Sequence, residues 1–153
     1  INDLENIKPF LNSLLDQTVK VDEIAVSIPY NDRNKIPPHL KNILSVYTFN
    51  KDYGDSTKLT PILLREKNGK TKIIIVEPNI MYGKDFIEQI VEKSNKNPSS
   101  IIHDKDYKEF LIKPELINSG IENYSNGTSC IQHLKKNCDK DFVLIEYGDN
   151  FTF

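Results

Sequence analysis

The chain has 153 residues, of which 38% are hydrophobic and 27% charged, with a formal net charge of −2. That is enough apolar material for the core of one domain, which excludes a disordered chain, and there is no surplus of basic charge such as a typical nucleic-acid binder uses to neutralise phosphates. No apolar run approaches the ~20 residues needed to span a bilayer, and no basic-then-apolar segment opens the chain, so the expectation is a cytoplasmic protein with no nucleic-acid partner and no membrane segment.

Two cysteines, Cys130 and Cys138, stand near the carboxyl end. So sparse a cysteine content suits reduced thiols, and a Zn site would lack partners, since His133 is the one nearby histidine. The triplets starting at Asn123, Asn126 and Asn150 match the glycan-acceptor pattern. Without a secretion signal they read as chance matches in an Asn-rich chain.

In chain order, a polar opening leads into a helix over Pro9–Asp16, where Phe10, Leu11, Leu14 and Leu15 share one apolar face and Pro9 suits a first helical turn. VDEIAVSIPY alternates, with Ile24, Val26 and Ile28 on one side, and reads as a strand ended by Pro29. A polar, proline-broken loop follows, and then ILSVYTFN, rich in β-branched and aromatic residues, as a second strand. DYGDSTKLTPILLREKNG predicts a turn and a helix with Leu59, Ile62 and Leu63 facing inward, closed by Asn68-Gly69.

KTKIIIVEP is the most hydrophobic strand, continuous rather than alternating, which predicts a position in the middle of a sheet covered on both faces. YGKDFIEQIVEKSNKN predicts an amphipathic helix through Phe86, Ile87, Ile90 and Val91, and SIIHD a short strand. DYKEFLIKPELINSGIENYSNG mixes apolar pairs with turn residues and stays ambiguous. TSCIQHLKK reads as a capped helix and DFVLIEYG as a final strand. Helices and strands alternate with connections too long for simple hairpins, so a single α/β domain over residues 1–153 with a largely parallel sheet is expected.

In such a sheet ligands bind beyond the carboxyl ends of the strands. Tyr30-Asn31-Asp32-Arg33 follows the first strand, Asn50-Lys51-Asp52-Tyr53-Gly54 the second, and Glu77-Pro78-Asn79 the third. Gly54 permits a tight turn and Asp55, Ser56 or Thr57 can cap the next helix. Lys58 then falls in a first helical turn, where a cation is unfavourable unless an anion such as phosphate lies nearby; a solvated lysine is the alternative. Glu77 and Asn79 are either surface groups of a strand-terminating turn, or ligands for a ribose and for an oxygen-seeking Mg²⁺ or Mn²⁺.

Four segments, NSLLDQT, DEIAVSIPY, KDYGDSTKLTPIL and IIIVEPNIMY, resemble in order and spacing a branch of family-two-like glycosyltransferases, which have the GT-A nucleotide-diphospho-sugar transferase fold. Members of that branch show a helix ending in Leu-x-x-Gln, a strand ending in Ser-Ile-Pro, a segment close to Asp-Tyr-Gly-Pro-Ala-Thr-Lys, and a strand running into an acidic triplet followed by Tyr. The likeness covers roughly residues 7–100. It implies a GT-A-like, Rossmann-like three-layer sandwich with a mostly parallel central sheet, here lacking its first strand. It also implies a hexosyltransferase that moves a sugar from a nucleotide-diphospho-sugar donor to a hydroxyl of a sugar, protein or lipid acceptor. Carried over by position, Asp52, Tyr53, Gly54, Thr57 and Lys58 would surround the base and phosphates. Glu77 would contact the ribose and Asn79 a Mn²⁺ or Mg²⁺ ion, and Tyr82 matches the aromatic after the triplet.

The chain departs from the pattern in three places. Asp55-Ser56 stands where Pro-Ala is usual, and a second negative charge near a diphosphate is unfavourable without a cation. Glu77-Pro78-Asn79 replaces the acidic triplet, leaving the cation a neutral amide. The region that would supply the general base, Ser125 to Ser129, has no carboxylate; Glu122, Asp139 and Asp149 are the nearest candidates, with Glu122 and Asp149 preferred. These departures keep a second expectation open, a catalytically inactive GT-A-like binding or structural module in a longer protein. A Gly-rich phosphate loop and a nucleophilic triad both lack motifs here.

Overall fold

The computed structural model describes residues 7–51, 57–117, 130–136 and 138–146. The protein is mixed α/β, and its strands form two small sheets. The described residues divide into two compact units.

The first unit holds residues 7–22, 72–112 and 140–146. Helix α1 spans Lys8–Leu15 and buries Phe10, Leu11 and Leu14, as the helical spacing predicts, while Leu15 stays exposed. Strands β3 (Ile73–Ile75), β4 (Ile101–His103), β5 (Phe110–Ile112) and β6 (Phe142–Leu144) form a sheet in the order β3-β5-β4-β6. β5 runs antiparallel to both its neighbours, and β4 pairs with β6 in parallel. Helix α3 (Phe86–Lys96) buries Phe86, Ile87 and Ile90 along its apolar stripe. The core centres on Ile101, Ile102, Phe110, Leu111 and Ile112, all fully buried.

Two sequence expectations change here. The sheet was expected to be mostly parallel, yet two of the three pairings in this unit are antiparallel. The cause is the short turn 104–109, since a connection of that length can close only an antiparallel pair. The middle of the sheet is also not the IIIV run: among the described residues β3 pairs on one side only, with Ile74 half-buried, and the buried inner strands are β5 and β4.

The second unit holds residues 23–51, 57–71, 113–117, 130–136 and 138–139. Strands β1 (Ile24–Pro29) and β2 (Leu44–Phe49) pair in parallel, Ile24 opposite Leu44 through Pro29 opposite Phe49. Two short 3-10 turns, Tyr30–Lys35 and Pro38–Leu40, make the crossover between them. Helix α2 spans only Thr60–Arg65, and α4 spans Cys130–Lys136. Lys58 therefore precedes α2 instead of lying in its first turn. Pro61, at the start of the helix, has no N–H with which to continue it upstream. Beyond α2, Gly69 accepts a hydrogen bond from Glu115 N–H at 3.0 Å, and a Cβ on Gly69 would stand 3.1 Å from that of Glu115. The close approach, rather than a helix stop, is what asks for glycine there. Among the described residues no helix is long and apolar enough to cross a membrane.

Candidate functional site

β3, β4 and β6 run in one direction, so their carboxyl ends share one edge of the four-stranded sheet, and the amino end of the antiparallel β5 meets them there. Glu77 follows β3, Asp104 follows β4, and Glu109 precedes β5.

Glu77-Pro78-Asn79-Ile80 closes as a β-turn, with Ile80 N–H donating to Glu77 O at 3.3 Å and Ile80 buried as its anchor. Proline at the second position and an amide at the third suit such a turn. Local turn chemistry thus accounts for an acid, a ring and an amide at the tip of β3, and it leaves Asn79 exposed and Glu77 half-buried. Tyr82 folds back beneath the turn and is 5% exposed. Its hydroxyl accepts the Glu77 N–H at 2.9 Å and donates to Glu109 Oε1 at 3.4 Å.

Helix α1 holds this turn from the other side. Ser13 Oγ accepts the Tyr82 N–H at 3.0 Å and donates to Phe10 O at 2.7 Å. Gln17, 1% exposed, donates to Ser13 O at 2.9 Å and Gly83 O at 2.7 Å, and its Oε1 accepts Ile87 N–H at 2.9 Å. The glutamine of the Leu-x-x-Gln segment is therefore a buried clamp between the end of α1 and the start of α3. Tyr82 also packs against Phe86, ring centroids 4.3 Å apart, and meets Phe10 edge-on at 6.2 Å.

The β4–β5 turn is organised by Asp104. Its Oδ1 accepts Lys108 N–H at 2.6 Å and Glu109 N–H at 2.9 Å, and its Oδ2 accepts Asp106 N–H at 3.2 Å. Tyr107 takes a left-handed backbone, φ 55°, and its ring stacks on His103 at 4.5 Å. His103 Nδ1 lies 2.8 Å from Asp104 O. A carbonyl oxygen only accepts, so Nδ1 carries the proton.

Glu109 is the unusual group at this edge. It is 4% exposed, and its Oε2 is buried with no hydrogen-bond partner among the described residues. Burial, then the negative charges of Asp104 and Glu77, push its carboxyl up to about 7, against a smaller downward pull from the Tyr82 hydroxyl and Lys108. The Tyr82 phenol is pushed far above its ordinary range, chiefly by burial. Carboxyls that titrate near neutral pH cluster at functional sites. Sequence reasoning passed over Glu109 because KEFLIK, with three apolar residues between charges, shows too little period to assign.

Of the residues named from sequence, Glu77, Asn79 and Tyr82 lie in this unit, around the β3 turn. Thr57 and Lys58 lie in the second unit, half-buried, just ahead of α2. Asp52, Tyr53, Gly54, Glu122 and Asp149 lie outside the described residues, and Asp139 is exposed after α4. Among the described residues no three His, Cys, Asp or Glu side chains gather as a metal-ligand set, a count in which an amide such as Asn79 does not figure. A shallow concavity of about 480 Å³ runs between α1 and residues 81–84, lined by Asn12, Asp16, Met81 and Lys84 among others, and does not include Glu77 or Asn79.

In comparisons with family models, with curated proteins and with solved structures, nothing matches this chain.

Proposed function

We propose that this chain is a glycosyltransferase domain of GT-A type that binds a nucleotide-diphospho-sugar and transfers the hexose to an acceptor hydroxyl. The observation that carries the reading is the order and spacing of its four segments, above all the Asp52-Tyr53-Gly54 to Thr57-Lys58 run followed by the polar turn at the carboxyl end of β3. That position is where α/β sheets take ligands. Asp52, Tyr53, Gly54, Thr57 and Lys58 are assigned to the base and phosphates, and Glu77 to the ribose. Glu122 or Asp149 is assigned to deprotonate the acceptor, whose oxygen then attacks the anomeric carbon as the nucleoside diphosphate departs. Divalent cations keep several waters and bind through one or two protein oxygens plus substrate phosphates. Asn79, exposed at the turn, fits such a site as one neutral ligand, and the cation would neutralise charge on the diphosphate.

The test is incubation with a panel of UDP- and GDP-hexoses, with and without Mn²⁺. Sugar transfer or donor hydrolysis that falls at least tenfold in Lys58→Ala is the expected result. No turnover of any donor under any condition rejects catalysis. One observation favours a second reading, a non-catalytic GT-A-like module: a single carboxylate remains where the family has an acidic triplet. Calorimetry separates the two, since metal-dependent donor binding counts against the module and an intact fold that binds no nucleotide sugar counts for it.

A further inference from the structure

We infer that Glu109 is a positioning residue for the turn at the end of β3, setting the stance of Glu77 through the Tyr82 hydroxyl according to its own charge. The inference concerns the turn itself. Only its consequence for a bound donor rests on the function proposed above.

The geometry is a three-member relay. Glu109, at the start of β5, receives the Tyr82 hydroxyl at 3.4 Å, and the same hydroxyl holds the Glu77 backbone N–H at 2.9 Å. The charged and titratable groups that face Glu109 come from each element around it. They are Glu77 at the end of β3, Asp104 at the end of β4, Tyr82 from the turn, and Lys108 from its own segment. Two of the four are carboxylates, and the lysine's pull is the smallest of these influences.

Neutral Glu109 leaves one weakly polar oxygen unpartnered, a modest cost. Ionised Glu109 leaves a buried carboxylate oxygen with no partner among the described residues and beside two other carboxylates, a larger one. Two responses follow from ionisation. The charged oxygen draws the Tyr82 O–H closer, because charge-assisted hydrogen bonds are shorter than 3.4 Å, and Glu77 and Asp104 are repelled. Since the phenol also grips the Glu77 N–H, both responses displace the backbone that carries Glu77. Burial already moves the carboxyl up to about 7, so the change falls near neutral pH.

The experiment is a ¹H–¹⁵N NMR titration of the whole chain from pH 5 to pH 9, following the Glu77 amide. In the wild type that resonance moves with a midpoint near pH 7. In Glu109→Gln the movement falls at least fivefold, and in Tyr82→Phe the Glu77 amide is uncoupled while the Glu109 side-chain carboxyl, followed by ¹³C, still titrates. A Glu77 amide that stays flat in the wild type overturns the inference, as does one that moves equally in Glu109→Gln. If Tyr82→Phe does not fold, the wild-type and Glu109→Gln comparison decides alone. A failure of the proposed function would appear as absent donor binding with this titration unchanged, whereas failure of the relay removes the titration whatever binds.

Discussion

Among the described residues, two side-chain hydrogen bonds from tyrosine to glutamate share a chemistry and differ in nearly everything else. In the second unit, the Tyr47 hydroxyl donates to Glu23 Oε1 at 2.6 Å, with the Arg65 guanidinium 5.5 Å from the Tyr47 ring and Glu23 exposed. In the first, Tyr82 reaches Glu109 at 3.4 Å and both side chains are buried. At the exposed pair the tyrosine responds: its phenol is pushed up to about 12, mainly by the bond to Glu23, then by burial and by the charges of Glu23 and Glu66, with Arg65 opposing. At the buried pair the carboxyl itself moves, and burial is the leading cause. The shorter bond is therefore not the one that brings a carboxyl to neutral pH. Desolvation and like charge do that, while the hydrogen bond from tyrosine works against it.

If the buried pair belongs to a rigid polar network and the exposed pair does not, cutting the network should cost far more. Gln17→Ala is the largest cut. It removes three hydrogen bonds, leaves the Gly83 carbonyl and the Ile87 N–H without their glutamine partner, and opens a gap between α1 and α3. The expected loss is about 3 kcal/mol in urea unfolding. A loss below about 1 kcal/mol would show that water replaces the amide and that the network is not rigid. Next comes Tyr82→Phe, which withdraws one hydroxyl from both Glu77 and Glu109 and is expected to cost about 2 kcal/mol. Tyr47→Phe is its control, expected to cost less than about 1 kcal/mol because exposed polar pairs contribute little. Equal losses in the two phenylalanine variants would erase the distinction.

The same contrast governs what the sequence revealed. Elements with a strong period were legible. α1 lies within a residue of its predicted bounds, α3 and β1 form inside their predicted segments but begin four and three residues later, and Val26, Ile28, Phe86, Ile87 and Ile90 are buried as the pattern requires. Pairing partners were not legible, because the antiparallel insertion of β5 depends on the turn 104–109, in which Asp104 collects three backbone N–H groups; Asp is common in turns and loops. At the site, Glu77 and Asn79 could be placed at a strand end from sequence, since a continuous apolar run stops there. Glu109 could not, because nothing in one carboxylate beside FLI reveals that it faces Tyr82 and two other acids. Tyr82 matched a pattern, while its role as a strut under the turn emerges only from the fold.

Acid–base linkage sharpens the comparison further. Glu109 has its folded-state pKa raised to about 7, whereas an unfolded glutamate titrates near its ordinary value of about 4.3. Between those limits the native state binds the extra proton, so this group's stabilising contribution is complete below about pH 4.3 and is lost as pH rises through 7. A shift of this size corresponds to about 4 kcal/mol at most, and solvent screening brings the expected fall to about 1–2 kcal/mol. Urea unfolding at pH 5 and pH 8 measures it. Glu109→Gln should remove that part of the slope, and a variant with the full wild-type slope would assign the pH dependence elsewhere.

The smallest effect belongs to the exposed pair, and it is a spectroscopic one. Glu23→Gln removes the charge that, with its hydrogen bond, leads the rise of the Tyr47 phenol, so in alkaline absorbance titration one tyrosine should move down from about 12 toward its ordinary range near 10. Stability should change by less than about 1 kcal/mol, because the carboxylate is exposed and water takes its place. The Tyr82 phenol should not follow, since burial leads its shift and Glu23 is not among the causes. If Glu23→Gln leaves the tyrosine titration unchanged, the 2.6 Å bond is not maintained in solution, and the two pairs differ in persistence as well as in burial.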